Sequence, residues 1–293
     1  MDNAFLGPVA WLRHDRRAAF AAAWLLLLVA VALTAPLIAP YDPAEQDLGN
    51  ILAGPSAEHW LGTDDLGRDY LSRLLFGGRV SLLASIIATG VGLLIGVPVG
   101  LISGFVGGVL DNILMRIVDT LLSFPAIVLA ISVIAILGPG LTNAMIAVGI
   151  IFAPSFARLV RGQVLAVKGR LYVDAARTFG SAPHLTILRH VVPNSIQPVI
   201  VQTAFLMAVA LLAEAALSFL GLGVQPPTPS WGEMLQGAAR FISRAPLQVY
   251  PAGLAIAVTV LAFNLLGDSM RDALDPVAHS ERRLLSRRRL RPE

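Results

Sequence analysis

Apolar runs long enough to cross a bilayer alternate with polar stretches along almost the whole chain. Ala18 to Pro40 is an uncharged run of more than 20 residues, and a helix needs about 20 to span the hydrocarbon core. Val80 to Leu110 carries no charge over 31 residues. Ile113 to Leu137, Thr142 to Leu159, Ile196 to Leu222 and Val249 to Gly267 complete the series. The pattern predicts an all-α integral membrane protein with six transmembrane helices. The main polar interruptions are Tyr41 to Arg79, Tyr172 to Pro193 and Gly223 to Leu247, and an Arg-rich tail follows the last run.

Local signals refine these elements. Arg13, Arg16 and Arg17 precede the first run as they would a signal peptide, but that run exceeds the 7–15 residues of a signal core, so a retained anchor helix is expected. Leu71, Leu74 and Leu75 sit at helical spacing among charges, which suits a short amphipathic helix at the membrane surface. In the second run Ala84, Ala88, Gly92, Gly96, Gly100, Gly104 and Gly108 recur every fourth residue. Such positions share a helix face, and a small-residue stripe lets another helix approach closely. Pro125 falls in the middle of the third run.

Basic residues orient the chain. With six crossings, 17 of the Lys and Arg residues fall on the side of the two termini and 5 on the other. Positive residues concentrate on the cytoplasmic side, so both termini are expected inside. The chain then divides into a cytoplasmic N-terminus at 1–17, a first span at 18–40 and an extracytoplasmic connector at 41–79. A core at 80–268 holds the other five spans, with a cytoplasmic loop at 165–193 and an outer loop at 223–247. A cytoplasmic tail covers 269–293, and its arginines suit anionic lipid.

Composition removes several kinds of chemistry. The chain is 56% apolar and 14% charged, where a soluble domain is roughly a quarter charged. There is no cysteine, hence no disulfide or thiolate site. Lys168 is the only lysine, and Gly169 and Arg170 follow it, so no Gly-Lys-Ser/Thr phosphate loop exists. Any ATP this protein depends on binds another chain. The five histidines are scattered without metal-ligand spacing, no Gly-x-Ser-x-Gly elbow occurs, and basic residues lack the aromatic platforms of nucleic-acid binding. No catalytic, cofactor-binding or metal constellation emerges.

Four polar features remain. Glu214 lies inside the fifth run, where a carboxylate is costly. It either lines a passage, pairs with another helix or reaches water. Asp64, Asp65, Arg68 and Asp69 crowd the end of the connector. They read as helix capping or a receptor-docking surface ahead of a calcium site. Trp231 and Glu233 in the outer loop read as part of a gate, or the tryptophan as an interfacial anchor.

The fourth feature is the hairpin from Tyr172 to Pro193. Tyr172, Ala176 and Phe179 share one side of a first helix, Gly180 breaks it, and Pro183 opens a second. It is either an amphipathic connector resting on the membrane or a handle for a partner. Here the residues carry a resemblance. DAARTFGSAPHLTILRHVVPN resembles the cytoplasmic EAA loop of ABC importer permeases, through Asp174, Ala175, Ala176, Gly180 and Pro193. Asp174 departs from the usual Glu. LGTDDLGRDYLSRLLFGGRVSL, EAALSFLGLGVQPPTPSWGEML and FNLLGDSMRDALDP extend the likeness over nearly the whole chain, to the second permease subunit of dipeptide/oligopeptide importers.

The resemblance implies a type I ABC importer permease fold in the bacterial cytoplasmic (inner) membrane. It implies a sister permease, two ABC ATPase subunits that bind ATP and Mg, and an extracytoplasmic solute-binding protein. Asp174, Ala175, Ala176, Gly180 and Pro193 would couple to an ATPase. Glu214 would touch the substrate pathway, and Asp64, Arg68, Asp69 and Trp231 would form an outer docking or gate surface. The solute would be a dipeptide, an oligopeptide or a related molecule such as glutathione or a nickel chelate. An ion-driven secondary transporter would need more intramembrane ionisable residues and an inverted repeat. A membrane-embedded enzyme would need clustered catalytic groups.

Overall fold

The computed structural model describes residues 15–274, and the regular elements among them are all helices. Five are long and apolar enough to cross a membrane. The first, α1, covers Arg16–Ile38 and is capped by Asp15, whose side chain accepts the amide of Arg17. The expected boundary at 18 therefore falls just inside the helix.

The second helix, α2, runs without a break from Tyr70–Val106. Asp69 caps it, accepting the Ser72 amide at 2.7 Å. No separate amphipathic helix ends the connector: Leu71, Leu74 and Leu75 form the first turns of α2. The reason is that nothing between Tyr70 and Val80 stops the helix. Gly77 and Gly78, which could have broken it, are instead covered by the ring of Trp231, 3.1 and 3.0 Å from where their Cβ atoms would stand.

The small-residue stripe of α2 packs on α5, Leu141–Lys168. A Cβ on Gly96 would stand 2.3 Å from the Ala153 carbonyl, and one on Gly100 2.5 Å from that of Ala157. Gly149 of α5 approaches Val91 and Ala88 in return. No side chain larger than hydrogen fits at these positions. Gly108 alone leaves the stripe, since it opens the next helix at φ +64 with open space around it. α5 runs nine residues beyond the expected end at Leu159, because Arg158 and Arg161 find carboxylate partners there and need not leave the helix.

The order of these contacts counts the crossings. Ala88 meets Gly149, Gly96 meets Ala153, Gly100 meets Ala157 and Gly104 meets Val164, so α2 and α5 run parallel. The chain between them must return across the bundle, about 35 Å at 1.5 Å per residue. It does so through α3, Gly108–Ser123, and α4, Ala126–Leu137, joined at a 97° bend. Pro125 sits at that bend and stops the helix. With this pair counted as one span there are six.

After α5 come two short helices, α6 at Leu171–Thr178 and α7 at Pro183–Thr186. A π turn at Ile187–Val191 then leads directly into α8, Val192–Phe219. The outer loop holds α9, Trp231–Arg240, and α10 closes the bundle at Val249–Leu274. The Ser269 hydroxyl donates to Asp15 at 2.6 Å, and Trp24 Nε1 donates to Thr259 at 3.1 Å. These contacts set α1 antiparallel to α10, with Asp15 and Ser269 on one side. The apolar core runs along the α2–α5 seam and is flanked by α4 and α8. A second cluster joins α1, α2, α8, α9 and α10.

Candidate functional site

The hairpin between α5 and α8 is fixed by two buried valines. Val173 of α6 and Val191 of the π turn are both fully buried, in one cluster with Val167 of α5. The Tyr172 and His190 rings lie 6.4 Å apart and tilted. α6 ends in a Schellman motif: Gly180 adopts φ +78, and the Ser181 amide donates to the Ala176 carbonyl at 3.0 Å. A residue other than glycine is strained at that φ. Pro183 opens α7, and the Thr186 hydroxyl turns back to Ser181 at 3.2 Å.

Pro193 does not end a helix. Having no N–H, it removes one bond to the preceding turn, and its ring crowds the carbonyl four residues earlier. The helix loosens into a π turn, where the Val192 amide reaches the Ile187 carbonyl, and then continues into the membrane. The hairpin's second arm and span five are therefore one rod, Pro183–Phe219. Nothing in the spacing forecast this π turn; Pro193 after a helical stretch was the one available signal.

Outside its valine root the hairpin is open. Asp174, Ala175, Gly180 and Pro193 are exposed, and Ala176 is partly so. Leu171 and Phe179 are 87 and 89% exposed and Leu188 is 63%. Leu171 and Phe179 flank α6, so the arm presents an apolar surface that no described residue covers. Lys168, at the root, donates to the Phe105 carbonyl at 2.5 Å and ties the arm to the end of α2. Arg161 grips Asp111 of α3 through two bonds of 2.7 Å.

The outer side is built the opposite way. Asp64, Arg68, Asp69 and Trp231, expected as an outer docking or gate surface, are 7, 5, 2 and 2% exposed. These side chains are turned inward in this structure, each with partners inside the chain. Asp64 takes bonds from Arg68 Nε at 2.7 Å and from the Leu66 and Arg68 amides. Arg73 reaches Asp64 at 3.2 Å and Glu233 of α9 at 2.7 Å, and donates to the Pro43 carbonyl at 3.0 Å. Asp69 pairs with His59 at 3.0 Å while capping α2. The capping part of the expectation thus stands. Arg73 organises the cluster and was missed, and Glu233, read with Trp231 as part of a gate, is its partner on α9. An arginine among leucines at the start of an apolar run was the signal for Arg73. Burial holds the Glu233 carboxyl above the usual carboxylate range, against the pull of Arg73 and Arg68.

Trp231 donates from Nε1 to the Leu74 carbonyl at 3.0 Å, and its amide meets the Ser81 hydroxyl at 3.3 Å. That hydroxyl donates to Glu214 at 2.9 Å, and Ser218 donates to the other carboxylate oxygen at 2.8 Å. Glu214 is fully buried, with Ser230 beside it. In this structure it faces α2 and Ser230 at the start of α9, within its own chain. Of the three options open for Glu214, its surroundings match pairing with another helix.

The described residues form a bundle of up to six crossings, with an arm that carries an exposed apolar surface at one end and a loop that satisfies its own polar groups at the other. The comparisons place it more closely. Residues 96–279 match the family of binding-protein-dependent transport system inner membrane components, and residues 9–55 match the N-terminal TM domain of oligopeptide transport permease C. The chain belongs to the first of these families and is a permease subunit of an ABC importer in the inner membrane. It is 49% identical over 270 residues to the glutathione transport system permease protein GsiD of Shigella flexneri serotype 5b, covering 91% of this chain and 89% of that one. The GsiD of Escherichia coli O6:K15:H31 is 47% identical over the same coverage. Among solved structures, a chain of the inward-facing MetNI methionine ABC transporter superposes with a TM-score of 0.58 at 19% identity, covering 70% of this chain and 98% of that one. A second crystal form gives 0.57. The fold is that of type I ABC importer permeases.

Proposed function

We propose that this chain forms one half of a solute passage with a sister permease, and that the hairpin at 171–193 seats on one of two ABC ATPase subunits. The observation that carries this is the arm itself. Its apolar surface is exposed while its root is locked to α5 and α8, so a push on it moves two spans as one body. Asp174, Ala175, Ala176 and Gly180 supply a narrow surface that a groove can enclose, and Pro193 joins the arm to span five. ATP and Mg²⁺ bind the ATPase subunits, since this chain lacks the lysine loop for them. An extracytoplasmic solute-binding protein delivers the solute. Glu214 acts as an interior tie between α2, α8 and α9 rather than as a solute contact.

The solute is a short peptide-like molecule, glutathione foremost, which the GsiD relatives support. The binding protein sets the final choice. The test is reconstitution of the chain with its sister permease, ATPases and binding protein in proteoliposomes. ATP-dependent uptake of labelled glutathione is expected, and Ala176→Leu is expected to lower it while ATP hydrolysis persists or the ATPase detaches. Unaltered uptake and ATPase retention in Ala176→Leu and Gly180→Pro would overturn the coupling role. Hydrolysis by the purified chain alone would overturn the assignment of ATP to its partners.

A further inference from the structure

α3 has three faces. Asp111 and Val118 mark the buried one, packed on the bundle. Ile113 and Ile117, each 54% exposed, lie on a lipid-facing strip. Asn112, Arg116, Asp119, Thr120 and Ser123 fall in a third wedge of about 100°, and all five are exposed. A helix meeting only protein and lipid has no use for such a polar strip.

Two further observations bear on the same wedge. Asp119 pairs with Arg158 of α5 at 2.7 Å, yet the two side chains remain 57 and 54% exposed. At the end of the wedge the helix breaks. Ser123, Phe124 and Pro125 are exposed, and the first N–H groups of α4 have no helical acceptor. The depth of this elbow follows from the seam. Asp111 pairs with Arg161 and Asp119 with Arg158, so α3 moves away from the Lys168 end of α5 as it nears the elbow, and Arg158 adjoins Ala157, which meets Gly100. The elbow, one turn past Asp119, lies beyond the level of Arg158 and Gly100, inside the crossing. Broken backbone at that depth is not stable against lipid; it must be covered by protein or face water. An exposed ion pair one helical turn away favours water.

We infer that the polar face of α3, the Asp119–Arg158 pair and the elbow at Ser123–Pro125 line the water-filled route of the solute. The two charges of the pair match a zwitterionic, peptide-like molecule, carboxylate to Arg158 and ammonium to Asp119. The solute part rests on the importer reading above; the contact with water does not.

The chain has no cysteine, so single thiols can be placed in it without removing others. Ser123→Cys and Thr120→Cys would be compared with Leu94→Cys, a lipid-side control 77% exposed on α2. Each is read on this chain in the assembled importer, in inside-out vesicles, with the impermeant anionic reagent sulfonatoethyl methanethiosulfonate. Thiols react as thiolates, which form only where water reaches, so rates at 123 and 120 are expected at least about tenfold above that at 94. Adding Asp119→Asn to Ser123→Cys should raise the anionic reagent's rate relative to a cationic trimethylammonium analogue, and Arg158→Gln should lower it. Rates at 123 and 120 no faster than at 94 would overturn the inference, as coverage by lipid or by the sister permease would produce. That result in vesicles that still take up solute would leave the importer reading intact.

Discussion

At the outer end Asp64, Arg68 and Arg73 are buried and pair within the chain, whereas at the cytoplasmic end Leu171, Phe179 and Leu188 stand in solvent. Each region inverts the usual placement, charge outside and apolar inside. The outer cluster is closed: Arg73 serves Asp64, Glu233 and Pro43, and α9 is fastened to α2 and α8. The hairpin is open, since beyond Val173, Thr186 and Val191 its described side chains are exposed or partly exposed. A region that satisfies its own polar groups needs nothing further to be stable. A region that leaves apolar side chains uncovered on a rigid root is built for a partner. Substitutions at the outer end should therefore affect folding, and those at the hairpin should affect coupling.

The largest effect is expected from Arg73→Leu. It leaves the Asp64 and Glu233 carboxylates buried without their guanidinium, and breaking such a pair costs about 3–5 kcal/mol. A thermal-unfolding scan in detergent should show a marked fall in midpoint, with the 223–247 loop becoming protease-sensitive. An unchanged midpoint would mean that the outer cluster does not hold α9. Gly180→Ala comes next. Nothing lies within 4 Å of the new Cβ, so crowding is absent and only the left-handed backbone at φ +78 resists. That costs about 1–2 kcal/mol, confined to the hairpin. Hydrogen exchange should show α6 fraying while α2 and α5 keep their protection.

A smaller, pH-dependent effect belongs to Glu233. Its folded pKa is raised by burial. The stability it contributes is present on the acid side and is lost as pH rises through the raised pKa. Protease protection of the outer loop should fall over that interval in the wild type. Glu233→Gln should flatten the dependence; a slope that persists in the variant would place its source elsewhere.

Much of this contrast was legible in the chain. Six apolar runs, the every-fourth-residue stripe and the Gly180 break appear in the structure because each rests on local periodicity or a backbone constraint. The outer cluster was not legible, because Arg73 and Glu233 meet across 160 positions and no local spacing encodes that meeting. Glu214 was visible as an intramembrane carboxylate, but its donors Ser81 and Ser218 come from two helices. Helix ends misled for a related reason. Charges at Arg158 and Arg161 marked the edge of an apolar run, yet Asp119 and Asp111 satisfy them and α5 continues.

The smallest expected effect on stability is at the apolar tip of the hairpin, where the contrast between the two ends is sharpest. Leu171→Ser with Phe179→Ser replaces two side chains that are 87 and 89% exposed. Neither is part of the buried root, so the pair should change stability by no more than about 0.5 kcal/mol each. If the tip exists to be covered by an ATPase, the same substitutions remove the apolar area that such a contact would bury. Co-purification of the ATPase should drop and ATP-dependent uptake should fall, with an unchanged unfolding midpoint for the isolated chain. A lowered midpoint would show that the tip packs within this chain. Full ATPase retention would show that the arm is held by backbone and small residues alone, through Ala175, Ala176 and Gly180.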